Sequence, residues 1–328
     1  MPPSGEDYLI TRYFRPLADA PASLGLLDDA AVLSGSADDL VITTDAIVEG
    51  VHYLAADPPE TIARKALRVN LSDLAAKGSA PAGFLLTLAL RTADEAWLAA
   101  FASALGDDAA TFGCPLLGGD TVSTPGPVMI SITAFGRVPR GEMVKRRGAH
   151  AGDRIAVTGT IGDAALGLDI LRGGRAASAI AGETGKLEFL INRYRVPQPR
   201  LAIAAALRGA ASAAMDVSDG LAGDLAKLCT VSGVSASVEL AKVPLSPAAR
   251  TVVSAGATTI ETLIAGGDDY EVLCTVPDAR WASFAQAAAV SGVAMTEIGT
   301  ITDGTSAPVF LDTAGKAISL SRTSYSHF

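Results

Sequence analysis

Between Pro139 and Gly152 the chain turns rich in Arg, Lys and Gly, and this break splits a series of apolar runs into two halves. No other feature restricts the fold as much, because each half then has to close a core of its own. Ahead of the break, Leu9, Ile10, Tyr13, Phe14 and Leu17 have helical spacing over Glu6–Leu17. Ala30–Leu33 and Leu40–Thr44 read as short strands, and Thr61–Lys77 as a helix with Ile62, Ala66, Val69 and Leu74 near one face. Next come a strand over Phe84–Leu90, a helix over Asp94–Phe112, and strands at Pro115–Leu117 and Val128–Val138. Beyond the break lie a strand at Arg154–Thr158, a glycine-punctuated turn and a helix through Leu171. Helices at Lys186–Tyr194, Pro199–Leu207 and Gly220–Cys229 alternate with strands at Ala213–Val217 and Ala236–Leu240. Tyr270–Val276 reads as a further strand and Asp278–Val290 as a helix. With 328 residues the expectation is two domains, 1–140 and 141–328. An apolar fraction of 49% with only 5% aromatics suits mixed α/β packing better than an aromatic-rich sandwich.

A formal charge of −9 argues against nucleic acid as a partner, since phosphate-backbone binding needs clustered Lys and Arg. The apolar run around Phe84–Leu90 is far too short for a membrane span. Glu6 and Asp7 stand where a signal peptide would need a basic start, so the expected location is cytoplasmic. Cys114, Cys229 and Cys274 are an odd, sparse set that argues against a disulfide framework. With no CxxC and only His52, His150 and His327, neither zinc nor a histidine-based nucleophilic triad can be argued.

The informative residues are aspartates flanked by Gly, Ser or Thr, read as lying on turns at strand ends. They occur at Asp28-Asp29, Thr43-Thr44-Asp45, Asn70-Leu71-Ser72-Asp73 and Gly118-Gly119-Asp120-Thr121. In the second half they recur at Asp216-Val217-Ser218-Asp219-Gly220 and Gly266-Gly267-Asp268-Asp269. Each has a local explanation. Asp28 and Asp29 can start a turn, Asp45 can cap the segment after its strand, and Gly118-Gly119 can be a turn only. Asp73 precedes Lys77 by four residues, an i,i+4 pair worth about 0.3–0.5 kcal/mol. Asp216 and Asp219 precede a helix, where a capping or first-turn acid contributes roughly 0.5–2 kcal/mol. Six independent explanations are a heavier assumption than one shared one, a polynuclear Mg2+ site. Two carboxylates about 4 Å apart repel by about 4 kcal/mol at an effective dielectric near 20, so a cluster of them needs cations. Mg2+ takes one or two carboxylates together with waters and substrate phosphates, which suits dispersed single ligands.

Familiar nucleotide signatures are absent: there is no G-x-x-x-x-G-K-[ST] and no H-R-D or D-F-G set. The turn Gly159–Gly162 reads mainly as packing, with phosphate contact at a helix N-terminus as the lesser alternative. Lys145, Arg146 and Arg147 form the densest basic cluster; it is either a solvated turn or a guanidinium fork for polyphosphate.

Taken in order, these motifs resemble the thiamine-monophosphate kinases, within the superfamily that includes aminoimidazole-ribonucleotide synthetase and selenophosphate synthetase. The resemblance runs from Gly5-Glu6 through Gly50-Val51-His52, Val69–Ala76, Val157-Thr158-Gly159 and Gly267-Asp268-Asp269-Tyr270 to His327-Phe328. It implies transfer of the ATP γ-phosphoryl group to thiamine monophosphate. It also implies Asp29, Thr43, Thr44, Asp45, Asp73, Asp120, Asp216 and Asp219 as Mg2+ ligands, and Gly119, Asp120, Arg146 and Ser218 at ATP. His52, Asp268 and Arg322 would face the thiamine substrate, with Asp120, Asp219 and Arg146 nearest the chemistry. The implied fold is a two-domain, aminoimidazole-ribonucleotide synthetase-like one. Its α/β N-terminal domain binds ATP and Mg2+ and pairs sheets across a homodimer; its C-terminal domain is α+β.

Arg322 departs from the family pattern, which often has tryptophan at this place; a thiazolium gains about 0.5–2 kcal/mol from an aromatic face and nothing from an arginine. Selenophosphate synthetases use a reactive Cys or selenocysteine near the N-terminus, and no Cys precedes Cys114 here. The alternatives are another ATP-dependent member of the superfamily and a non-catalytic metal–nucleotide sensor. Because the acceptor is itself a phosphate monoester, with a second pKa near 6, the expected reaction is direct in-line transfer without a strong general base.

Overall fold

The computed structural model describes residues 8–26, 33, 35–320, 322 and 324. Asp28, Asp29, the expected strand at Ala30–Leu33 apart from Leu33, and Tyr325, His327 and Phe328 lie outside the described residues. The chain divides into two compact units. One comprises residues up to Leu74 with Ser79–Gly141; the other comprises Ala75–Gly78 with the chain from Glu142 onward.

In the first unit β1 (Asp39–Val48), β2 (Ala80–Leu90), β3 (Leu116–Ser123) and β4 (Met129–Val138) form one sheet in the order β1-β4-β2-β3. β4 runs antiparallel to both β1 and β2, and β2 runs parallel to β3. Helices α1 (Pro59–Ala76) and α2 (Glu95–Phe112) connect the strands. Asp94 caps α2, accepting from the N–H groups of Ala96 and Trp97, and Gly113 ends it in the left-handed conformation. Asp108 of α2 is buried and takes Arg68 of α1 in a two-pronged bond, with Nε to Oδ2 at 2.5 Å and Nη2 to Oδ1 at 2.9 Å; Arg64 also reaches its Oδ1. On β1, Val41 and Ile47 are buried while Leu40 and Ile42 are 43% and 60% exposed. One face of the sheet is therefore packed and the other is open, as the period of two requires.

The sequence places a strand end at Leu117, with the glycines beyond it in a turn; instead β3 continues through Gly118, Gly119 and Asp120 to Ser123. The reason is close packing. A Cβ on Gly119 would meet the Leu86 carbonyl oxygen at 1.9 Å, so only glycine lets β3 lie this near β2.

The second unit is built on a seven-stranded sheet in the order β11-β10-β7-β9-β5-β8-β6. Its strands are β5 (Arg154–Thr158), β6 (Ala213–Val217), β7 (Ser235–Glu239), β8 (Glu271–Val276), β9 (Met295–Thr302), β10 (Val309–Leu311) and β11 (Ala317–Ile318). Apart from the parallel β7–β10 pair, its pairings are antiparallel. Its helices are α3 (Asp163–Leu171), α4 (Arg175–Ala179), α5 (Thr184–Arg195), α6 (Ala204–Ala210), α7 (Leu221–Ser232), α8 (Pro247–Ser254), α9 (Ile260–Ile264) and α10 (Asp278–Val290). Every residue of β6 and β8 is buried because both faces are covered. Met215, Val217 and Leu273 pack with Leu221, Leu225 and Leu228 of α7. Ala214, Val272 and Cys274 pack on the other face with Leu207 of α6 and Phe284 of α10. The three cysteines are free and buried, and burial pushes the Cys114 and Cys274 thiols up to about 12.

Candidate active site

In the first unit the candidates gather where β1 meets α1. Thr43 Oγ1 donates to Asp73 Oδ2 at 2.5 Å, and the Asp45 N–H donates to Asn70 Oδ1 at 3.0 Å. Asn70 and Asp73 lie three apart on α1, so they present to the same strand. The suggested Asp73–Lys77 pair is not formed: Asp73 takes Thr43 instead, and the Lys77 ammonium donates to Ala214 O at 2.8 Å. Thr44 points to the opposite face of β1 from Thr43, where its hydroxyl donates to Ile132 O and accepts from Thr133. Asp45 and Asp120 lie within strands and Asp73 within a helix, so the expectation that these aspartates are borne on turns is corrected at three positions.

Asp120 stands apart from this group. It is level with Thr87, Ser131 and Ala46 across the sheet, three strand spacings from β1, or about 14 Å. With Gly119 it lines a cavity of about 630 Å³ whose other walls include Phe14, Leu85, Thr133 and Phe135. His52 comes after β1 on a turn that begins with Gly50 at φ 81°. Its Nδ1 accepts the Val48 N–H at 3.0 Å, and its carbonyl accepts the buried Lys65 ammonium at 2.8 Å.

In the second unit β6 delivers Asp216, buried, and the turn Ser218-Asp219-Gly220 leads into α7. Neither aspartate caps the helix. The helix has no side-chain cap; Asp224, in its first turn, instead fixes the preceding turn, its Oδ2 accepting the N–H groups of Ser218 at 3.0 Å and Asp219 at 2.9 Å. Gly220 has φ 111°, and a Cβ there would meet the Ala265 carbonyl carbon at 2.9 Å. Lys227 bridges two carboxylates, Asp219 Oδ2 at 2.5 Å and Asp224 Oδ1 at 2.8 Å. Burial raises the Asp224 pKa, although the Lys227 ammonium beside it opposes that shift.

The Asp268 segment is fastened to this turn. The Asp268 N–H donates to Ser218 O and the Tyr270 N–H to Val217 O, both at 2.8 Å. Asp268 and Tyr270 hold φ of 71° and 50°, left-handed values that cost non-glycine residues of order 1–3 kcal/mol each. Behind them Asp269 is fully buried and accepts the Gly162 N–H at 2.8 Å. Burial pushes its carboxyl well above the usual range. Arg193 Nη2 reaches both Asp269 O at 3.1 Å and Glu271 Oε1 at 2.8 Å, and Arg200 grips Glu271 with two further bonds. The Gly159–Gly162 turn serves packing here, since a Cβ on Gly159 would meet Glu271 Oε1 at 2.1 Å.

Arg146 is exposed, on a segment tied down on one side by the Ala214 N–H to Lys145 O bond. On the other side the Gly148 and Ala149 N–H groups donate to Ser232 Oγ. Arg322 is exposed and donates Nε–H to Ser324 O at 2.6 Å. Among the described residues, no three His, Cys, Asp or Glu side chains are grouped so as to hold a metal unaided. The candidate donors that are described are all carboxylate or hydroxyl oxygens, a set suited to a hard cation that keeps waters and substrate oxygens in its shell.

Residues 27–138 match the N-terminal domain, and residues 150–312 the C-terminal domain, of AIR synthase related protein. A thiamine-monophosphate kinase of Caulobacter vibrioides is 43% identical over 99% of this chain and 91% of its own. The chain belongs to the thiamine-monophosphate kinases of the AIR synthase related family. The crystal structure of that kinase from Stenotrophomonas maltophilia superposes with a TM-score of 0.81 at 36% identity, covering 95% of this chain and 96% of the other. AaThiL complexed with AMPPCP and TMP superposes at 0.77, with 30% identity over 91% of this chain and 90% of its own.

The residues that hold the candidate segments in place are not among the ligands that the motifs imply. Asn70, Asp224, Lys227 and Arg193 make these contacts; Asn70 stands in the Asn70–Asp73 motif without a role of its own, and Asp224 is an acid in the first turn of a helix.

Proposed function

We propose that this chain transfers the γ-phosphoryl group of ATP to the phosphate of thiamine monophosphate, giving ADP and thiamine diphosphate. Membership of the thiamine-monophosphate kinases along nearly the whole chain carries the reading. In this reading Asp29, Thr43, Thr44, Asp45, Asp73, Asp120, Asp216 and Asp219 hold Mg2+, and the purely oxygen donor set supports that choice. Bound Mg2+ would supply neutralisation of the charge on two phosphates that otherwise repel.

Gly119, Asp120, Arg146 and Ser218 serve ATP, and the cavity beside Gly119 and Asp120 offers apolar walls for part of it. His52, Asp268 and Arg322 serve thiamine monophosphate. Since His52 Nδ1 is engaged by the Val48 N–H, neutral His52 carries its proton on Nε2 and acts there as a donor, not as a base. None is needed: the acceptor phosphate is largely dianionic at neutral pH. Transfer is direct and in line, with inversion at phosphorus.

The N-terminal domain, 1–140, binds ATP and Mg2+ and forms a homodimer through the open face of its sheet, where Leu40, Ile42 and Val122 are exposed; 141–328 forms the C-terminal domain. The enzyme works in the cytoplasm; among the described residues no helix is long and apolar enough to cross a membrane. ADP release measured with and without thiamine monophosphate tests the reading. Release that depends on the acceptor, with thiamine diphosphate as product, is expected. Nucleotide binding without acceptor-dependent turnover would leave the sensor alternative in its place.

A further inference from the structure

We propose that Lys227 is a resident counter-cation that a divalent ion has to displace from Asp219, so that this lysine sets the metal affinity of the second unit. The inference rests on the reading of Asp219 as a Mg2+ ligand.

The lysine stands between two acids of different kinds. Asp224 is buried and its Oδ2 is committed to the Ser218 and Asp219 N–H groups, so its Oδ1 is the atom left for the ammonium, at 2.8 Å. Asp219 is one-third exposed and its Oδ2 faces the same ammonium at 2.5 Å. Mg2+ binds carboxylate oxygens at about 2.0–2.1 Å. An ion on Asp219 Oδ2 and an ammonium on the same oxygen would lie well inside the Debye length of about 10 Å at 0.1 M salt, and would repel. Lys227 can yield without stranding a buried charge, because it keeps Asp224 when it releases Asp219. Its side chain is 41% exposed, which leaves the flexible stem room to turn. While Asp219 holds no other cation, the ammonium lowers the local negative charge and keeps the Ser218–Asp219 turn in shape.

The test is Mn2+ binding to the nucleotide-free protein, monitored by electron paramagnetic resonance, in wild type, Lys227→Met, Lys227→Arg and Asp219→Asn. Lys227→Met is expected to bind Mn2+ about five- to tenfold more tightly at the site that Asp219→Asn weakens. Lys227→Arg, which keeps the charge, should stay within about twofold of wild type; this separates charge from packing. In an Asp219→Asn background the Lys227→Met gain should vanish. Unchanged or weaker binding in a folded Lys227→Met protein overturns the inference. If Asp219→Asn alone leaves Mn2+ binding unaltered, Asp219 is no ligand, and the reading beneath the inference fails first.

Discussion

The Asp268 N–H donates to the Ser218 carbonyl at 2.8 Å, which fastens the proposed thiamine-facing segment to the proposed nucleotide-facing turn within one unit. Asp268 holds this bond at φ 71°, where a Cβ is costly and glycine is at ease. Asp268→Gly should therefore keep stability within about 1 kcal/mol of wild type. The lost carboxylate should raise KM for thiamine monophosphate about tenfold or more. Asp268→Ala should lose the same affinity and lie about 1–2 kcal/mol below Asp268→Gly in stability, because its Cβ keeps the left-handed strain. Urea unfolding together with steady-state kinetics checks both, and equal stabilities for the two variants would contradict the backbone argument.

Asp108 joins α1 to α2 through Arg68 and Arg64, and its carboxylate is buried. Removing one member of a buried pair leaves the others uncompensated, so Asp108→Ala should cost about 3–5 kcal/mol. A loss below about 1 kcal/mol in chemical denaturation would show that water replaces the carboxylate.

The element order was legible because buried stripes have short periods: the strand at Arg154–Thr158 and the helix at Asp278–Val290 appear with the expected bounds. Gly118-Gly119 misled because a glycine that permits close strand packing is the same letter as one that permits a turn. The aspartates were legible as a set, since carboxylates beside small residues repeat in both halves. The contacts that hold them were not. Asn70 reaches the Asp45 N–H and Arg193 reaches Asp269 O only after distant segments have packed, and no local spacing encodes such contacts.

Asp269 makes stability depend on pH in an unusual direction. Its folded pKa is raised, by desolvation above all, over an unfolded value of about 3.9. The native state then holds the proton longer than the unfolded chain does, so this group's contribution is full below about pH 3.9 and declines as pH climbs towards the raised folded value. Asp269→Asn retains an oxygen for the Gly162 N–H but cannot ionise. Relative to wild type, the variant should gain stability between about pH 4.5 and about pH 7.5. Urea midpoints at both pH values decide it; a difference that does not change with pH would mean the carboxyl ionises equally in both states.

Ile42 lies 60% exposed on the open face of the first unit's sheet, level with Phe135 of β4. If that face pairs with a second copy, Ile42→Lys places a charge in an apolar contact and should shift the protein from dimer to monomer by light scattering. Val290 is 85% exposed on α10 of the other unit, so Val290→Lys serves as a control for added charge and should leave the mass unchanged. A dimer that survives Ile42→Lys would move the interface away from this sheet.

Asp120 lines the same cavity as Gly119, yet stands three strands from Asp45, so it cannot share a close ligand shell with Asp45 through this sheet alone. Asp120→Asn keeps the shape of the side chain and removes its charge at an exposed position of β3, where folding has little stake in the carboxylate. The variant should fold with an unchanged melting temperature and lose activity by about 10²-fold or more, a typical cost for deleting one preorganised electrostatic contact. It should also need a higher Mg2+ concentration to reach half its own maximal rate. Wild-type turnover with an unchanged Mg2+ dependence would remove Asp120 from the metal set and leave it as a cavity wall.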